Sequence, residues 1–118
     1  MINFLPILII ELDMKSLQIC GIDIKIGSNV SDNDKLFDMA KDEDIWFHVD
    51  GLPSAHMWVP ECELTKQQLY MIALQLKKTS KYKKINNIPI IYTTKQNIEK
   101  GDTLGTIIIT GKSRKINV

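Results

Sequence analysis

The sequence predicts an α+β fold: a single domain, residues 1–118, in which a mainly antiparallel sheet packs against one long helix plus a short helix. Three observations carry this. Short runs rich in Ile, Val and aromatic residues, bounded by turn residues, outnumber the helical stretches. Only the stretch after Thr65 sustains a long helical period. The remaining strands cluster after that helix instead of alternating with helices, which argues against βαβ units and a parallel sheet. A chain of 118 residues, 44% hydrophobic and 25% charged, can bury one core without metal or disulfide staples.

The apolar run Ile2 to Ile10 is broken by Asn3 and Pro6, lacks a basic flank and is followed at once by Glu11 and Asp13. It is too short to span a bilayer and reads as a β-strand, with no membrane insertion. "LQICGIDIKIG", Leu17 to Gly27, reads as two short strands or one bent strand, because Ile22, Ile24 and Ile26 alternate with other residues. In "SNVSDNDKLFDMAKDED", Asp32 or Asn33 can cap a short helix, Asp34 to Ala40, with Leu36, Phe37 and Ala40 inward. "IWFHV" and "AHMWV" are strands by content, and Gly51 and Pro53 between them make a hairpin. Its register is open, so His48 and His56 either share a face or oppose each other.

In "TKQQLYMIALQLKKTSKYKK", Leu69, Ile72, Ala73 and Leu76 fall at i, i+3, i+4 and i+7, and Thr65 is the expected N-cap. "NIPIIYTT" is a strand with Pro89 at its start or at an edge. A turn at Gly101–Asp102, a strand Thr106 to Thr110, a turn at Gly111 and a last strand Lys115 to Val118 complete the chain.

The formal charge of +1 conceals a division: residues 1–63 carry a net −8 and residues 64–118 a net +9. If the halves present different faces, the basic one attracts a polyanion; if they interleave, the charges cancel. Cys20 and Cys62 are the only cysteines, and no CxxC spacing exists. Free thiols in the cytoplasm, or alternatively the nucleus, are expected, with no cofactor and no bound metal.

"GSNVSDNDKLFDMA…DIWFHVDGLPSAHMWV…LQLKKTS…NNIPIIYT…LGTI" resembles the NFACT-R domain, the RNA-binding module of the NFACT proteins of ribosome-associated quality control. The matching residues are Gly27, Asn33, Asp34, Asp44, Trp46, Phe47, His48, Pro53, His56, Ser80, Tyr92, Thr93 and Gly105. The segment "EDIWFHVD…SAH" is closer still to the stand-alone eukaryotic type of the family, whose charged coiled-coil tail has no counterpart in these residues. One departure stands out: the family turn Pro-Gly-Ser-His is here Pro53-Ser54-Ala55-His56.

The resemblance implies a non-catalytic nucleic-acid-binding module, with RNA (tRNA or rRNA) as partner and a link to translation. A phosphate chain needs several cations along one path. Lys77, Lys78, Lys81, Lys83, Lys84 and Lys95, with Lys112, Arg114 and Lys115, offer them. Tyr82 between lysines suits stacking on an unpaired base. His48, Ser54, His56, Asn86 and Asn87 are candidates to bond bases or phosphates, while Trp46, Phe47 and Trp58 are expected to build the hairpin core.

Two other readings compete. His48 and His56, with Asp44, Asp50 and Ser54 nearby, form an acid–base pair in a metal-free nuclease reading, although no nucleophile elbow, Walker loop or H-E-x-x-H motif is present. A metal site needs a third ligand such as Asp50 or Cys62. A protein-interaction adaptor, with a ribosomal or other protein partner, would use the acidic segment Asp32 to Asp44 or an exposed strand edge.

Overall fold

The computed structural model describes residues 7–10 and 15–118. Along the chain lie β1 (Ile7–Ile10), β2 (Lys15–Ile19), β3 (Ile22–Gly27), α1 (Val30–Met39), β4 (Ile45–Val49), β5 (His56–Val59) and α2 (Lys66–Thr79). β6 (Pro89–Thr94), β7 (Ile98–Lys100), β8 (Ile107–Ile109) and β9 (Arg114–Asn117) follow. Seven strands form one sheet in the order β1-β2-β3-β5-β4-β6-β9, and every neighbouring pair is antiparallel. β7 and β8 pair as a separate antiparallel ribbon. This is the α+β class the sequence predicts. Of the expected first strand, the portion before Ile7 lies outside the described residues.

The two-residue period of the strands gives the sheet two apolar faces. On one, Leu17, Ile19, Ile24, Ile26, Phe47, Val49, Met57, Val59 and Ile90 pack under Ile72, Ala73 and Leu76 of α2. On the other, Trp46, Trp58 and Ile91 pack under Leu36 of α1 and Ile98, with Phe37, Ala40 and Ile107 at the margin. The short helix therefore covers the face opposite to α2, and the central strands are buried on both sides.

α2 begins where expected. Thr65 Oγ1 accepts from the Gln68 N–H at 3.1 Å and Gln68 Oε1 accepts from the Thr65 N–H at 2.8 Å, a reciprocal capping box. It is 14 residues, not the long helix expected. Ser80 turns extended, and both its hydroxyl and its N–H donate to the Lys77 carbonyl, ending the helix before Lys81.

α1 starts four residues earlier than expected. Asn29, not Asp32 or Asn33, is the cap, its Oδ1 accepting from the Asp32 N–H at 2.8 Å. Asn33 lies inside the helix, buried against Gly27. Gly27 allows this approach because it has no Cβ. An added Cβ would overlap Asn33 Oδ1 and stand 3.0 Å from Leu36 Cδ1. Gly27→Ala is expected to cost roughly 1–3 kcal/mol through overpacking, read as a lower urea midpoint at unchanged m-value.

Pro89 opens β6, where its missing N–H breaks no ladder bond inside the strand. The β2–β3 turn is made by Cys20 (φ 52°) and Gly21 (φ 77°), two left-handed residues whose twist matches that of the strands they join. The sequence did not mark β7 as a strand; β8 and β9 fall within about a residue or two of the expected strands.

Candidate nucleic-acid interface

Pairing of Trp46 with Trp58 and of Phe47 with Met57 sets the β4–β5 register. Alternation from there puts Trp46, His48, His56 and Trp58 on one face, the α1 side. The histidines meet there: their ring centroids are 4.7 Å apart and their planes cross at 85°. His48 also stacks on Trp46, centroid to centroid 5.4 Å.

Hydrogen bonds fix both tautomers. The Trp46 indole N–H can only donate, and it donates to His56 Nδ1 at 3.2 Å, so neutral His56 carries its proton on Nε2. The Val49 carbonyl can only accept, and His48 Nδ1 lies 2.5 Å from it, so neutral His48 carries its proton on Nδ1 and a lone pair on Nε2. Burial and the adjacent His48 push the His56 pKa down to about 3. Burial also lowers that of His48, against the opposing pull of the Val49 carbonyl and Asp50.

The pair lines a cleft of about 630 Å³. Its walls come from Trp46 and Ile91 of the sheet, Asn29, Val30 and Asn33 at the start of α1, the Gly51–Ser54 turn, and Gly105, Thr106, Ile107 and Ile109. Asp50 is the only charged side chain in the lining, and it pairs with Lys115 of β9 at 2.7 Å. Ser54 holds the turn: its hydroxyl accepts from the Val49 N–H and donates to the Ala55 carbonyl. Serine in place of the family's glycine strains nothing, because the left-handed residue of this turn is Gly51 (φ 74°).

The expected site residues fall in separate places. His48, Ser54 and His56 belong to the cleft. Lys78, Lys81, Lys83, Lys84 and Asn86 are exposed on the exit from α2, on the other side of the sheet. Asn87 is exposed too, and supplies a left-handed turn (φ 59°). Arg114 is exposed on the edge strand β9. The cleft and the lysine loop border the same end of the sheet, where the Asp50 N–H donates to the Pro89 carbonyl at 2.9 Å.

Four of the expected contacts are engaged within the protein, Lys115 through its ion pair with Asp50. Lys77 is buried and its ammonium donates to the Val118 carbonyl at 3.0 Å. The Tyr82 ring packs against the α2-side core. Lys95 donates to the Ala40 carbonyl at 2.7 Å and lies 4.7 Å over the Phe37 ring, tying β6 to α1. Cleft residues the sequence reading passed over are Asn29, Leu52, Ile107 and Ile109. No local pattern marks them, since they meet only when α1 and the β7–β8 ribbon fold over the sheet.

The acids named for catalysis have other partners. Asp44 accepts from the N–H groups of Lys41 and Glu61, and Asp50 is held by Lys115. Among the described residues, no group of three or more His, Cys, Asp or Glu side chains is placed to hold a metal ion. Nor is any described helix long and apolar enough to cross a membrane. The acidic and basic halves touch in places: Lys100 pairs with Asp34 and Asp38 of α1.

A helix on each face of an antiparallel sheet, a cleft whose one charged lining residue is paired, and a run of exposed lysines at the exit from α2 together describe a small α+β module. The chain belongs to the NFACT protein RNA binding domain family, whose model matches residues 15–114. It is similar to the coiled-coil domain-containing protein 25 of Danio rerio, 34% identical over 84 residues, which cover 65% of this chain and 41% of that protein. The Bos taurus and Mus musculus proteins of the same name are 32% identical over 84 residues, covering 65% of this chain and 40% of each. The chain thus spans well under half the length of these curated relatives. The solved C-terminal part of the fibronectin/fibrinogen-binding protein from Streptococcus suis superposes with a TM-score of 0.72. It covers 82% of this chain and 41% of that one at 22% identity, a likeness of fold alone.

Proposed function

We propose that this chain is a non-catalytic module that binds structured RNA, tRNA or rRNA, in translation-linked, ribosome-associated quality control. One observation carries the RNA reading beyond family membership. Lys78, Lys81, Lys83 and Lys84 are exposed, and none makes an ion pair among the described residues. Cations so placed are available to neutralise successive phosphates and release their counterions. They flank the end of the sheet where the cleft opens, while Arg114 lies farther along β9, opposite Tyr92. The exposed free thiols of Cys20 and Cys62 suit the cytoplasm, with the nucleus as the alternative. A ribosomal or other protein partner would use the acidic segment Asp32 to Asp44, part of which already engages Lys100.

The histidines support a binding role over a catalytic one. Acid–base cleavage of RNA needs one neutral imidazole and one imidazolium. With both pKa values lowered, neither ring is a ready acid at neutral pH.

Labelled structured RNA titrated at two salt concentrations tests this reading. The wild type is expected to bind with a steep salt dependence. Lys81→Glu, Lys83→Glu and Lys84→Glu together should weaken binding at least tenfold and flatten the log–log salt slope by about 2–3, one step of ~0.7–0.9 per phosphate contact removed. Absence of salt-dependent binding by the wild type overturns the RNA reading. RNA cleavage by the wild type that disappears in a His48→Ala, His56→Ala variant overturns the non-catalytic part.

A further inference from the structure

Phosphate binding by the lysine loop leaves the cleft on the α1 face without a role. Its volume, about 630 Å³, lies well inside the range of small-molecule sites. No lysine or arginine lines it, and its one acid, Asp50, is neutralised by Lys115. A phosphate would enter without a counter-charge, at a desolvation cost nothing in the lining offsets. What the walls do offer is apolar surface, from Leu52, Ile91, Ile107 and Ile109. They suit a flat, uncharged group.

The polar groups at its floor are specific. With His56 Nδ1 engaged by Trp46, the nitrogen His56 has left is Nε2–H, a donor. With His48 Nδ1 engaged by Val49, the nitrogen His48 has left is Nε2, an acceptor. The hydrogen bonds of both rings run through Nδ1, and both rings line the cleft. The two rings, perpendicular and 4.7 Å apart, thus bring one donor and one acceptor into the same cleft. Beside them, Asn33 Oδ1 is buried without a partner in the cleft wall. A donor and an acceptor in one apolar cleft complement the edge of a heteroaromatic ring that presents both an acceptor and a donor. Nucleobases present such edges when they are unpaired and unstacked.

The geometry points to the cleft as a pocket for a single unstacked nucleobase of a bound RNA, bonded at its edge by His56 Nε2–H and His48 Nε2 and held at its faces by the aliphatic walls. This rests on the RNA-binding reading and names the part of the RNA that the cleft takes. The backbone of the same strand would then leave the cleft past the Gly51–Ser54 turn toward Lys81, Lys83 and Lys84. The lysines supply affinity for any phosphate chain, and the histidine pair adds a requirement for a base.

The test uses the whole chain, labelled with ¹⁵N at histidine and tryptophan, and two probes of equal length and charge. One is a mixed-sequence ribohexamer; the other is an abasic ribose-phosphate hexamer. The base-bearing strand is expected to bind about tenfold tighter. It alone should shift the His48 and His56 Nε2 resonances and the Trp46 indole N–H. His48→Phe keeps an aromatic ring against Trp46 and removes the acceptor. It should lose the preference for the base-bearing strand while keeping the salt dependence. Equal binding of the two strands to the wild type overturns the base pocket and leaves the RNA reading standing. So does tighter binding of the base-bearing strand that leaves the three resonances unmoved. Failure of both strands and of structured RNA to bind overturns both readings. The wild-type comparison holds even if His48→Phe does not fold.

Discussion

Replacing Phe47 by Ala is expected to cost roughly 3–5 kcal/mol, the range for deleting a fully buried aromatic ring. Phe47 has no exposed surface. It sits on β4, between β5 and β6, and faces α2. Its ring stacks on Tyr92, centroids 5.2 Å apart and planes 15° from parallel, so its removal leaves a cavity that close-packed strands cannot fill. A domain of this size commonly has ~5–15 kcal/mol of stability in all, so the variant would lose a large share of it. Urea unfolding of Phe47→Ala and Phe47→Leu checks this. The leucine variant should retain most of the stability. A loss below ~1.5 kcal/mol for the alanine variant would mean that α2 is not seated over β4 as described.

The second large effect is a loss of stability in mild acid, centred on His56. Its pKa in the folded protein, about 3, lies below the ordinary value of 6.5 that the unfolded chain would show. Between those values the unfolded chain binds the proton and the folded one does not, so stability rises with pH. The contribution is fully present above pH 6.5 and is lost as the pH falls towards 3. Its full size is on the order of 4–5 kcal/mol, of which roughly 2–3 kcal/mol is gone by pH 4.5. His48 adds to this in the same direction. His56→Asn keeps an acceptor for the Trp46 indole and cannot titrate. Urea midpoints between pH 7.5 and 4.5 should fall steeply for the wild type and more gently for this variant. Parallel profiles would show that protonation of His56 is not what destabilises the fold in acid.

The same histidine separates what a linear reading can find from what it cannot. The pair was conspicuous in the sequence, and the hairpin that carries it followed from the Gly51 and Pro53 turn. Whether the two rings shared a face was open, because a one-residue change in register inverts every side chain. The register was decided by burial. Phe47, Val49, Met57 and Val59 go under α2, so Trp46, His48, His56 and Trp58 must face the other way. The tautomers, the lowered pKa values and the donor and acceptor in one cleft all follow from that choice.

The lysines illustrate the converse. Their charge was legible, but their availability was not. Lys77 and Lys78 are adjacent in the sequence, yet one is buried against Val118 and the other is exposed, because successive helix positions point about 100° apart. Lys95 looked like one more cation on the path and is instead a strut between β6 and α1.

What the sequence determined by itself is local. It comprises the Thr65 cap, the apolar stripe of α2, the alternation of the strands, the strand that Pro89 introduces and the hairpin between the two aromatic strands. Each depends on interactions within a few residues, and periods of 3.6 and 2 record them directly. Tertiary structure alone decided the strand order β3-β5-β4-β6, the seating of α1 on the face opposite α2, and the cleft between the hairpin and the β7–β8 ribbon. Those depend on contacts between residues tens of positions apart, whose energies are set by which surfaces can be buried together, and no local periodicity encodes that.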